Sequence, residues 1–105
     1  MVTQSQIQDL ANRIAAEFQP QRIVLFGSRA TGGVHTDSDV DLLVVMSFDG
    51  PVLRKTVEML DSVDPSFAVD LLLHTPEEAN WRYQGGDPLV CEAFDRGVVL
   101  YEAAA

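Results

Sequence analysis

Two apolar runs on either side of a polar turn, within residues 22–46 (RIVLFGSRATGGVHTDSDVDLLVVM), constrain this chain more than any other feature. Ile23-Val24-Leu25-Phe26 stops at Gly27-Ser28, and the run Val40 to Met46 carries Asp39 and Asp41 at its start. The unbroken apolar character of the second run implies a strand buried on both faces. The stretch reads as strand, anion-gripping turn and metal-binding strand.

Side chains alternate along a strand, so Asp39 and Asp41 share a face, with Cα atoms about 6.6 Å apart at the usual rise. That spacing lets both carboxylates converge on one or two cations. Oxygen-only ligands suit Mg²⁺, which keeps some water and also binds phosphates. Gly27 lets the backbone approach a ligand and adopt angles that a Cβ forbids. Ser28 can cap a short helical turn whose free N–H groups face an anion. Arg29 either steadies a phosphate or pairs with a nearby acid. A nucleoside triphosphate supplies both the anion and the metal bridge.

Competing motifs fail on inspection. Asp37-Ser38-Asp39-Val40-Asp41 imitates the start of a calcium loop, but Leu42 and Phe48 stand where that loop needs Gly and Glu. Gly32 is followed by Gly33-Val34, not by the Lys-Ser/Thr of a Walker loop, and no dinucleotide-type glycine pattern is present. A carboxylate beside Leu42-Leu43-Val44-Val45 is costly without a partner, and a cation supplies one. The bland alternative, acids capping local turn amides, explains the pair less well. His35 and His74 each stand alone, with no Cys/His cluster for zinc. Cys91 reads as packing, Trp81 and Tyr83 as core or partner surface, and Tyr101 as packed on the sheet.

Elsewhere the periodicity predicts a helix over Thr3 to Phe18, with Ile7, Leu10, Ile14 and Phe18 on one face and a Thr3/Gln6 capping box. A strand covers Arg22 to Phe26, then a polar, glycine-bearing loop from Thr31 to Ser38 that could lie over a bound ligand. Asp49-Gly50-Pro51 leads into a second helix, with Pro51 at its first position and Leu53, Val57, Leu60 and Val63 along one face. Phe67 to Leu73 is a strand carrying Asp70, which faces opposite to Phe67, Val69 and Leu71. Alternation alone also allows Asp70 an edge or surface position. Thr75-Pro76-Glu77-Glu78 caps a helix ending near Gly85-Gly86. Asp87-Pro88 starts another, bounded by Gly97, and Val98 to Tyr101 is a last short strand. Strands alternating with helices point to an α/β (α+β) fold, a small mixed β-sheet with helices packed on it.

Length fits one domain, residues 1–105. No apolar stretch approaches the length of a membrane span. Met1 to Gln8 lacks the features of a secretory signal, and the single Cys91 fits a reducing cytoplasm. Seven basic against 16 acidic residues give a net charge of −9, which disfavours a nucleic-acid partner.

Gly27-Ser28, ten intervening residues, then Asp39-Val40-Asp41 resembles the signature of the polymerase-beta-like nucleotidyltransferases, and of their minimal nucleotidyltransferase (MNT) group in particular. The likeness runs through Asp70 on its later strand to Arg96-Gly97-Val98-Val99-Leu100-Tyr101-Glu102. Thr31 departs from it, standing where related sequences often have a basic residue. The resemblance implies a mixed sheet with helices against one face. It implies that Gly27, Ser28 and Arg29 bind the triphosphate of ATP. Asp39, Asp41 and Asp70 would be metal ligands and catalytic residues of a two-metal Mg²⁺ site, with Asp70 also a candidate base. It further implies transfer of AMP to a hydroxyl, a tyrosine of a helical HEPN toxin, with this chain as antitoxin. A partner or self-association (a homo-oligomer) would complete the acceptor pocket. A non-catalytic nucleotide-binding module that neutralises a partner by covering it is the alternative reading.

Overall fold

A computed structural model describes residues 2–30 and 40–104. Eight elements follow in order: α1 (Gln4–Phe18), β1 (Arg22–Phe26), β2 (Val40–Val45), α2 (Val52–Val63), β3 (Val69–His74), α3 (Pro76–Gln84), α4 (Pro88–Arg96) and β4 (Val98–Glu102). The strands form one mixed sheet in the order β3-β2-β1-β4. β1 is antiparallel to both neighbours, whereas β2 and β3 run parallel and are joined by the α2 crossover.

The local signals behave as their chemistry requires. Gln6 N donates to Thr3 Oγ1 at 3.1 Å and Thr3 N to Gln6 Oε1 at 2.8 Å, so the α1 capping box is closed from both sides. Thr75 accepts from Glu78 N, and Asp87 accepts from Leu89 N and Val90 N, at the starts of α3 and α4. Pro51 stands one position before its expected place, as the N-cap of α2 with extended ψ, and the helix starts at Val52.

The core explains why the sheet is covered on both faces, a correction to the single helical layer that the resemblance implies. Ile23 and Leu25 of β1, with Val40, Leu42 and Val44 of β2, pack with Ile7, Leu10 and Ile14 of α1 and Met59 and Val63 of α2. Val24, Phe26, Leu43 and Val45 point the other way and meet Ala79 of α3 and Ala93 of α4. Strands apolar on both sides need a cover on both. Each fully buried Leu, Ile or Val contributes about 1.5–3 kcal/mol. A Cβ on Gly97 would overlap Val24 Cγ1 and the carbonyls of Ala93 and Leu25, so only glycine lets the end of α4 press onto β1.

The face of α2 differs from the sequence expectation. Met59 and Val63 are its buried residues, while Leu53 is 73% exposed and Val57 49%. Two apolar stripes compete on this helix, and only contact with α1 and β3 chooses between them. Trp81 lies on the surface, and the Tyr83 hydroxyl donates to Asp95 at 2.7 Å. No helix among the described residues is long and apolar enough to cross a membrane.

Candidate active site

The sheet register assembles the site. Phe26, the last residue of β1, pairs with Asp41 on β2, and Asp41 pairs in parallel with Asp70 on β3. Partners across neighbouring strands lie about 4.8 Å apart and point to the same side. That side is the α3/α4 face, because Leu43 and Val45 alternate in phase with Asp41 and pack there. Phe26, Gly27, Asp41, Asp70, Leu72, Leu89 and Glu92 line one cavity of about 290 Å³. Asp70 is thus on an edge strand and exposed, as alternation allowed, yet its carboxylate shares this cavity with Asp41.

Gly27 holds the centre of this arrangement. Its φ is +79°, a region where a side chain is strained, and a Cβ there would run into the Asp41 carboxylate. The turn beyond it closes with Ala30 N donating to the Gly27 carbonyl at 3.1 Å. Ser28 and Arg29 sit on that turn, outside the cavity lining; Arg29 Nη1 donates to the Val2 carbonyl at 3.4 Å. Asp39, with Thr31, His35 and the rest of the predicted loop, lies outside the described residues.

One residue of the cavity was not foreseen. The Gly27 N–H donates to Glu92 Oε2 at 2.8 Å. Glu92 is one position before the buried Ala93 and two after the buried Val90, so the docking of α4 on β1 aims it at the end of the sheet. An acid in an amphipathic helix carries no signal of this, because its target lies 65 residues away.

The set can do specific chemistry. Asp41 and Asp70 offer oxygen donors from adjacent strands, the donor type that a hard divalent cation takes, and the missing side chain at Gly27 leaves room for the Asp41 carboxylate. Among the described residues, no group of three or more His, Cys, Asp or Glu side chains is placed to hold a metal ion.

Comparison with known proteins gives the family. The family profile of the nucleotidyltransferase domain matches residues 7–99, and the chain belongs to that enzyme family. No curated protein matches the chain. Among solved structures, a candidate nucleotidyltransferase from Sulfolobus solfataricus superposes with a TM-score of 0.63 at 19% identity, covering 93% of this chain and 78% of its own. A toxin–antitoxin structure with AMP-PNP gives a TM-score of 0.59 at 19% identity, over 91% of this chain and 73% of that one. The toxin–antitoxin MntA–HpeT, in a mutant with two Asp→Glu substitutions, gives 0.53 at 17% identity, over 97% and 75%. At these identities the structural likeness shows the fold.

Proposed function

We propose that residues 1–105 form one nucleotidyltransferase domain that transfers a nucleotidyl group, AMP from ATP, to an acceptor hydroxyl. The observation that carries this reading is the parallel register of Asp41 and Asp70 beside Gly27, in a chain of the nucleotidyltransferase family. Asp41 and Asp70, with Asp39, are the residues that would hold Mg²⁺. When bound, the metal would lower the pKa of the acceptor hydroxyl and neutralise phosphate charge. Gly27, Ser28 and Arg29 form the turn that grips the β and γ phosphates.

The acceptor oxygen attacks the α-phosphorus, the bond to the bridging oxygen of the β-phosphate breaks, and pyrophosphate leaves with that electron pair. The hydroxyl proton passes to one of the carboxylates or to water. The acceptor we favour is a tyrosine on a helical HEPN toxin, with the chain acting as antitoxin in the cytoplasm. The two toxin–antitoxin neighbours, one of them with AMP-PNP, support this role.

Incubating the chain with ATP, Mg²⁺ and a HEPN partner should add one AMP to the partner, read by mass spectrometry. Asp41→Asn should abolish the addition. If Asp41→Asn still neutralises the partner, the chain acts by covering it and the transfer reading fails.

A further inference from the structure

The Glu92 contact has a consequence for phosphate binding. The Gly27 N–H belongs to the turn that the proposed function assigns to the triphosphate, and the present inference rests on that assignment. In this structure that donor is taken, because Glu92 Oε2 accepts from it at 2.8 Å. A backbone N–H bonded to a carboxylate is a charge-assisted pair, the same kind of contact that a phosphate oxygen makes. Two anions cannot share one N–H at close range, and the Asp41 carboxylate already fills the place of a Gly27 side chain. A phosphate oxygen reaching Gly27 must therefore displace the Glu92 carboxylate.

The helix that carries Glu92 is not free to yield. Val90 and Ala93 are buried, Asp87 caps the start of α4, and Gly97 is pressed on β1 at its end. Glu92 itself is half-buried, so its side chain can leave by bond rotation while α4 stays in place. We propose that Glu92 is an internal anion that occupies the phosphate-binding amide of Gly27 in the free protein and sets the affinity for polyphosphate by competing for it. Glu92 is thus an affinity-setting residue outside the metal-ligand set.

The test measures binding of inorganic tripolyphosphate and of ATP, each with and without Mg²⁺, by calorimetry. Wild type is compared with Glu92→Gln, Glu92→Ala and Asp95→Asn. Asp95 is exposed, lies one turn further along α4 and bonds the Tyr83 hydroxyl, so its change removes the same charge without touching Gly27. Glu92→Gln should bind tripolyphosphate about tenfold more tightly, equivalent to about 1.4 kcal/mol, with Glu92→Ala in the same direction. Asp95→Asn should change it by less than about twofold, as expected of a screened surface charge.

Equal or weaker binding by both Glu92 variants overturns the inference and makes Glu92 a prop for the turn or a metal ligand. An equal gain in Asp95→Asn also overturns it, by reducing the effect to net charge. Tighter tripolyphosphate binding by Glu92→Gln with no transfer to any acceptor would keep the inference and sink the proposed function. Intact transfer with no gain in binding would do the reverse.

Discussion

The α3/α4 face of the sheet carries two cavities at opposite ends, and the larger is not the one with the chemistry. At the start of β1 and the end of β2, about 600 Å³ is lined by residues including Arg22, Val45, Asn80, Tyr83, Phe94 and Glu102. At the other end, about 290 Å³ holds Gly27, Asp41, Asp70 and Glu92. The charges of the large cavity are already matched. Arg22 Nε lies 3.2 Å from Glu102 and its guanidinium covers the Phe94 ring at 5.2 Å, while the Tyr83 hydroxyl is held by Asp95. The small cavity is lined by three acidic residues, Asp41, Asp70 and Glu92, beside a glycine with no room for a Cβ. Size reports where helices leave a gap; acids contributed by separate elements to one end of the sheet supply the oxygen donors that a hard cation takes.

The comparison can be broken most directly by exchanging one residue at each end. Asp41→Asn should lower nucleotide turnover by at least about 100-fold, since loss even of an outer-shell partner costs a metal site 10–100-fold. Arg22→Ala at the large cavity should leave turnover within about threefold. Pyrophosphate release under saturating ATP and Mg²⁺ reads both, and comparable losses would erase the distinction.

Two glycines sharpen it further. Gly27 and Gly86 have φ values of +79° and +82°, but nothing lies within 4 Å of a Cβ built on Gly86. Either Gly→Ala change should cost about 1–3 kcal/mol in chemical denaturation for backbone strain. Only Gly27→Ala should also weaken ATP binding, by about tenfold or more, because only there does the new methyl push the Asp41 carboxylate.

Acid should act away from both cavities. Burial, and secondarily the Arg82 charge, hold the His74 pKa below its ordinary value of 6.5. Below that value the unfolded chain binds the proton more readily than the folded one. The stability associated with neutral His74 is therefore complete above about pH 6.5 and is lost as pH falls through the interval down to the folded pKa. Thermal melts from pH 7.5 to 5 should show this fall, and His74→Gln should make it shallower. The smallest effect belongs to the exposed Arg22–Glu102 pair: Glu102→Gln should cost about 0–1 kcal/mol by denaturation. A larger cost would mean that the large cavity depends on that pair for its shape.

Much of this was legible from the chain. The bounds of β1 and the cap residues of α1, α3 and α4 follow from apolar runs and from Thr3, Thr75 and Asp87. The closeness of Gly27 to Asp41 was also legible, because the turn after β1 and the start of β2 are both marked by local residue chemistry. The buried face of α2 was legible only at Val63, since Leu53 and Val57 are as apolar as the buried Met59 and only docking selects between them.

The sequence by itself determined where the strand-forming runs lie, the caps of α1, α3 and α4, and that Asp41 and Asp70 each lie within a strand-forming run. Tertiary structure alone decided that β3 lies parallel to β2 in the register that sets those two acids side by side. It alone brought Glu92 to the Gly27 amide. The physical reason is one of range. Hydrogen-bonding preference and side-chain alternation are written in neighbouring residues, whereas strand order and helix docking arise from burying apolar faces contributed by distant parts of the chain.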